Sequence, residues 1–280
     1  MLIGGHRPGQ PLKRWQKVIL KTMTQFCARM ILLFGPAMLW YKVDRVKVDY
    51  KPYLGPDWTP SYNGASTIVG NHSSWCDIVL VTIMKFPSFT PKSGIQKWPF
   101  IGPICELVFD SYFINRAGTP EERQKIVDAI ADRQSKSESG KAAPLMMFPE
   151  GCTTNNTELI TFRRGAFQAL HSVQPITYNY YSPYFNVAHD ILDVLSHMIL
   201  ICSQPYTTCH VKELPVFKPN EYFFEHHKQG EEEKWMTYMR VVRHLMAEQL
   251  GFKETQSRLE DKFAYKEMLY PGKGSKNKTE

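Results

Sequence analysis

From Asp44 onward the chain alternates short apolar runs with amphipathic stretches of helical length, and this alternation constrains its fold more than any other feature. Runs rich in β-branched and aromatic residues lie at Arg45–Tyr50, Ser66–Gly70, Lys92–Ile95, Ser111–Ile114, Leu145–Phe148, Pro175–Tyr180 and Thr208–Val211. Helical patterns start between them, near Trp75, Pro99, Pro120, Arg164 and Val187. Parallel strands cannot be joined by tight turns, so a helix must carry the chain back each time. The pattern therefore predicts an α/β domain with a mostly parallel central sheet flanked by helices. "TPEERQKIVDAIADRQ" is the clearest helix, with Thr119 as N-cap, Pro120 as first helical residue and Glu121 and Glu122 in the first turn. Two further amphipathic helices, near Glu231–Leu250 and Glu254–Tyr265, precede a polar tail. A length of 280 residues suffices for one such domain with an appendage.

The ends of the chain differ from the body. Residues 15–41 are the greasiest stretch, but Lys17, Lys21 and Arg29 interrupt it, and the charge-free run Met30–Tyr41 is shorter than the ~20 apolar residues a membrane span needs. Gly35-Pro36 would kink a helix there. The expectation is an interfacial or re-entrant helical hairpin anchored by Trp15, Trp40 and Tyr41, with a buried core hairpin as the alternative. All seven charged residues before Asp44 are basic, leaving 27 basic against 27 acidic residues in the rest. A basic arm on a neutral body favours an anionic membrane face over nucleic acid. Six scattered cysteines without a CxxC pair read as reduced thiols facing the cytosol and offer no zinc site. The terminal "KNKTE" has lysines third and fifth from the end, the form of a dilysine retrieval signal for the endoplasmic reticulum. The expected division is an arm at 1–41, a domain at 42–252, and a C-terminal helix and basic tail at 253–280.

Chemistry concentrates in "GNHSSWCD", residues 70–77, within a strand–turn–helix pattern. Five residues apart on one helix, His72 and Asp77 would diverge by about 140°. With His72 in the turn and Asp77 in the first helical turn, the carboxylate can reach the imidazole, fix its tautomer and leave the other nitrogen as a general base. The alternative is a capping role, because Ser74-Trp75-Cys76-Asp77 fits Ser-x-x-Asp. Cys76 and Ser73 are rival nucleophiles that would make the protein a thioesterase or phospholipase.

Three more stretches follow in order: "FINR" ending at Arg116, "FPEGCTTN" from Phe148, and "VQPI" from Val173, each at or beside a predicted strand end. Together with Asn71-His72 through Asp77, they resemble the four ordered motifs of the glycerolipid acyltransferase family, which includes lysophosphatidate, glycerol-3-phosphate and lysophosphatidylcholine acyltransferases. "FPEGCTTNNTELITFRRGAF" is similar to the lysophosphatidylcholine acyltransferase branch, with Cys152 and Thr153 in reversed order and Arg164 where that branch tends to have proline.

The resemblance covers residues 40–250 and implies transfer of a fatty acyl group from acyl-CoA, a co-substrate, to the free hydroxyl of a lysophospholipid at a membrane surface, with no cofactor and no metal. It implies His72 as base and Asp77 as its orienter. It gives Arg116 to the lipid phosphate, and Glu150 and Gly151 to the glycerol or phosphate end, where Glu150 would bond a hydroxyl or orient Arg116. It also places Asn71, Thr153 and Pro175 among the substrate-binding residues. Backbone N–H groups near Gly151 are candidates to hold the oxyanion.

Overall fold

The structure, a computed structural model, describes residues 13–35, 38–91, 93–99, 101–111, 113, 119–189 and 191–271. In chain order its elements are α1 (Arg14–Phe34), β1 (Leu39–Arg45), α2 (Lys51–Leu54), β2 (Thr67–Gly70), α3 (Cys76–Met84), α4 (Ile101–Leu107) and α5 (Pro120–Glu138). There follow β3 (Leu145–Met147), β4 (Glu158–Leu159), β5 (Val173–Tyr181), α6 (Val194–Cys202), β6 (Thr207–Glu213), α7 (Glu221–His227), α8 (Lys234–Leu250), β7 (Lys253–Glu254) and α9 (Leu259–Leu269).

The central sheet has the order β1-β6-β5-β2-β3 and is parallel at every junction except β5 with β6. β2 is buried on both faces, so its sequence is a continuous run, not an alternation. Successive residues serve opposite layers: Ile68 packs with Cys76, Leu80, Ile176 and Val211, whereas Val69 packs with Phe167, Val173, Tyr238 and Val242. α3 is apolar nearly all round because it lies between the sheet and α1, where Gln25 Nε2 donates to the Ile83 carbonyl at 2.9 Å. Each fully buried aliphatic side chain in these layers contributes roughly 1.5–3 kcal/mol.

Several expectations shift. The second arm of the N-terminal hairpin is a strand: Leu39–Arg45 pairs with Thr207–Glu213, so the sheet begins inside the segment assigned to the arm. The expected strand at Arg45–Tyr50 is thus displaced, since β6 ends at Glu213, opposite Arg45, and offers nothing to pair with beyond it. Ser93–Lys97 is a 3₁₀ turn in place of a strand; Ser93 and Gly94 supply no β-branched run there. Arg164–Ala166 is a single 3₁₀ turn in place of a helix, as Ala166 and Phe167 drop into the core. The helix expected near Val187 starts after Asp193, whose carboxylate caps the amides of Leu195 and Ser196. The calls at Ile114 and Arg116 and the "KNKTE" tail lie outside the described residues. Among the described residues no helix is long and apolar enough to cross a membrane.

Candidate active site

β3, β2 and β5 run parallel, so their carboxyl ends share one edge of the sheet, where open α/β folds place their ligands. The turn 71–75 follows β2, the turn 148–154 follows β3, and Tyr180 lies near the end of β5. Gly70 is required at the first exit: a Cβ there would come within 2.9 Å of both Met146 Cε and the Tyr178 ring.

His72 Nδ1 lies 2.8 Å from Asp77 Oδ2. Asp77 is fully buried in the first turn of α3, and its Oδ2 also accepts the amides of Ser73 at 2.7 Å and Ser74 at 3.0 Å. Its Oδ1 accepts the hydroxyl of Tyr180. Asp77 therefore shapes the turn and contacts the imidazole at once, so the two readings of "GNHSSWCD" are not exclusive. The His72 ring stacks on Phe148 at 4.0 Å between centroids, and 17% of its side chain is exposed. With Nδ1 engaged by Asp77, Nε2 is left on the opposite ring edge.

The backbone of His72 is gripped from the neighbouring turn. Its N–H donates to Glu150 Oε1 at 2.8 Å, and its carbonyl accepts the Thr154 amide at 2.7 Å. Glu150 is thus turned inward. Burial pushes its carboxyl up to about 8, against the opposing pull of the His72 and Ile160 amides and the Thr154 side chain. Its carboxyl oxygens accept the amides of His72 and Ile160, so Glu150 holds the backbone of the residue that carries the imidazole.

The other expected residues divide. Asn71 is buried and clamps β2 to β5, donating to the Tyr178 carbonyl at 2.9 Å and accepting its amide at 2.8 Å. Pro175 is buried within the sheet, level with Val69, and so lies behind the turn that carries His72. Gly151 has φ +77, a left-handed turn, and its N–H is already given to the Phe148 carbonyl at 3.0 Å, which removes it as an open oxyanion donor here. Thr153 is half-buried at the rim, its hydroxyl donating to the His189 carbonyl. His189 in turn donates its amide to the Ser73 carbonyl at 2.8 Å, so the segment after β5 walls the turn that carries His72.

The rival nucleophiles are withdrawn. Cys76 is fully buried and its thiol is pushed up to about 12 by burial, so almost no thiolate exists near neutrality. Ser73 is buried with its hydroxyl on Asn156 Oδ1 at 3.2 Å. No group of three or more potential metal ligands occurs among the described residues. Tyr180 and Phe148 were not identified as site residues from sequence. The β2–β5 register, Gly70 opposite Ile176, brings Tyr180 to Asp77, and no spacing rule along the chain encodes it.

A family model described as Acyltransferase matches residues 53–181. The lysophospholipid acyltransferase LPEAT1 of Arabidopsis thaliana is 28% identical over 270 residues, covering 91% of this chain and 65% of its own length. The lysophosphatidylcholine acyltransferase of Drosophila melanogaster is 29% identical over 254 residues, covering 90% and 43%. Lysophosphatidylcholine acyltransferase 1 of Homo sapiens is 29% identical over 259 residues, covering 91% and 43%. The chain thus spans between 43% and 65% of the length of these relatives. The crystal structure of the 1-acyl-sn-glycerophosphate acyltransferase PlsC from Thermotoga maritima is similar with a TM-score of 0.52 at 13% identity, covering 86% of this chain and 83% of that one, a likeness of fold. Residues 53–181 thus match the Acyltransferase family model, and the chain is similar along most of its length to lysophospholipid and lysophosphatidylcholine acyltransferases.

Proposed function

We propose that this protein transfers a fatty acyl group from acyl-CoA to the free hydroxyl of a lysophospholipid, lysophosphatidylcholine, a related lysolipid or lysophosphatidate, without cofactor or metal. The observation that carries this reading is the 2.8 Å contact between His72 Nδ1 and the buried Asp77 carboxylate, made where three parallel strands end. A glycerol hydroxyl is a poor nucleophile near neutral pH. His72 Nε2 removes its proton as the oxygen attacks the thioester carbonyl, a contribution of roughly 10²- to 10⁴-fold. The tetrahedral intermediate expels the thiolate of coenzyme A, which takes up from His72 the proton that came from the lipid hydroxyl. The products are the diacyl lipid and free coenzyme A. Asp77 stabilises the imidazolium formed on the way, and Tyr180 and the Ser73 and Ser74 amides hold Asp77 in place. Arg116 is assigned to the lipid phosphate, where a guanidinium binds in bidentate fashion.

The proposed setting is the cytosolic face of the endoplasmic reticulum membrane. α1 supports interfacial binding: it turns only Ala28 and Leu32 fully inward and leaves Phe26 59% and Phe34 82% exposed, with Lys17 and Lys21 alongside.

Purified full-length protein given labelled oleoyl-CoA and a panel of lysolipids, read by mass spectrometry, tests the reading. The expected result is acylated lysolipid, lost on His72→Ala while the far-ultraviolet spectrum and melting midpoint hold. A stoichiometric acyl-cysteine or acyl-serine that is chased into product would overturn direct transfer.

A further inference from the structure

A surface helix ordinarily turns its apolar stripe inward and its charges outward. α9 does the reverse. Its half-buried positions are Leu259, Lys262 and Lys266, one face at helical spacing, and none of its residues is fully buried. Phe263, Tyr265 and Met268 face solvent, the last 78% exposed.

The inward face of α9 meets the turn that grips His72. Lys262 Nζ donates to the Thr153 carbonyl at 2.6 Å and to its hydroxyl at 3.2 Å. The next residue, Thr154, holds the His72 carbonyl. Arg163 lies against Gly151 in the same turn: a Cβ on Gly151 would sit 3.0 Å from Arg163 Cδ and Nε. One guanidinium nitrogen of Arg163 pairs with Glu260, also on α9, at 2.8 Å. Two cations, Lys262 and Arg163, therefore border one short turn, and an anion entering beside them is attracted by both charges. Arginine and lysine converging on a glycine-containing turn suit a phosphate, which takes a forked guanidinium and point-charge ammonium groups together.

We propose that Lys262 of α9, with Arg163, forms a phosphate-binding subsite over the Gly151–Thr153 turn beside His72. The ligand is a phosphate carried by a substrate, either the phosphodiester of the lysolipid or the phosphates of coenzyme A. The assignment rests on the acyltransfer reading for its substrates. Its lysine lies outside residues 53–181, the part matched by the family model, and its arginine lies within it.

Binding tests it apart from turnover. The detergent-solubilised full chain is titrated calorimetrically with coenzyme A, and separately with micelles carrying lysophosphatidylcholine or phosphate-free monoacylglycerol. Lys262→Gln and Arg163→Gln should each weaken a phosphate-bearing ligand by about three- to tenfold and leave monoacylglycerol unchanged. Weakening of coenzyme A alone assigns the nucleotide phosphates, and weakening of lysophosphatidylcholine alone assigns the lipid. Glu260→Gln should act in the opposite direction and tighten the same ligand, because it frees Arg163. Lys136→Gln, on α5, is the neutral control. If α9 is only tethered by these contacts, Glu260→Gln and Lys262→Gln will both weaken binding, and the subsite is refuted. Unchanged binding in both cation variants, or an equal loss for monoacylglycerol, refutes it too. A charge-dependent binding pattern without turnover would instead remove the acyltransfer reading and leave the subsite standing.

Discussion

The turn after β2 and the helix α9 meet at the same site and are held in opposite ways. In the turn, the Asp77 carboxylate takes the His72 ring, two amides and the Tyr180 hydroxyl, while His72 is gripped at its N–H, its carbonyl and both its ring nitrogen and ring face. α9 buries no residue completely. Polar ties join it to the body, among them the exposed Arg163–Glu260 pair, Lys262 on Thr153, and the Thr161 amide on the Ser257 carbonyl just before it. Exposed ion pairs contribute at most about 1 kcal/mol. A proton acceptor must be placed to within a fraction of an ångström, whereas a wall that admits a lipid must yield. The difference in anchoring is the one that the proposed acyl transfer would require of a base and of a lipid-facing wall.

The largest effect should come from breaking the rigid side. Asp77→Asn keeps the size of the side chain but sets an amide where His72 and the Ser73 and Ser74 amides need an acceptor. We expect kcat to fall by roughly 10³- to 10⁴-fold, as for a base left without its orienting carboxylate. Stability should drop by only about 1–3 kcal/mol, the cost of a buried donor without its partner. Turnover and urea melts of the same preparation separate the two. Equal losses in activity and folded fraction would show that Asp77 serves the turn alone.

Glu150 offers a smaller, pH-dependent break. Its carboxyl holds a proton up to about 8 in the native state, against an ordinary value of 4.5. Between those values the folded protein binds more protons than the unfolded chain, so this group's contribution to stability is full below about 4.5 and is lost as pH rises through about 8. Glu150→Gln should remove that slope from denaturant melts taken across the window, since the amide does not titrate. It should also lower kcat more than it raises KM, because it acts through the His72 backbone. A wild-type slope that persists in the variant would assign the titration elsewhere.

How far the sequence carried can be judged from these same residues. The His72–Asp77 contact was legible because turn and helix lie within eight residues, and the sheet because β2 and β3 are continuous apolar runs. The inward role of Glu150 was not, since an acid in a Glu-Gly turn looks the same whether it faces a ligand or a backbone amide. Tyr180 was hidden by distance along the chain. β1 was misread because Trp40 and Tyr41 form an apolar run after Gly35-Pro36; their exposure on an edge strand arises only once Leu39–Arg45 pairs with β6. Inward lysines on α9 defy periodicity reading altogether, which assumes that the apolar face is the buried one.

The smallest expected effect is on α9 itself, and it measures the contrast directly. The Ser73 and Ser74 amides, bonded to a buried carboxylate, should exchange with deuterium only on global unfolding. Peptides covering Leu259–Leu269 should exchange through local opening that costs on the order of 2 kcal/mol or less, because no fully buried side chain must be exposed for the helix to lift. Glu260→Gln removes one exposed pair, worth about 0.5 kcal/mol, so exchange there should quicken about twofold while peptides covering 71–84 are unchanged. The global melt should barely move. Hydrogen-exchange mass spectrometry on the full chain reads both regions in one experiment. If α9 peptides prove as protected as the turn, the helix is a fixed wall, and the division between a rigid base and a yielding rim does not hold.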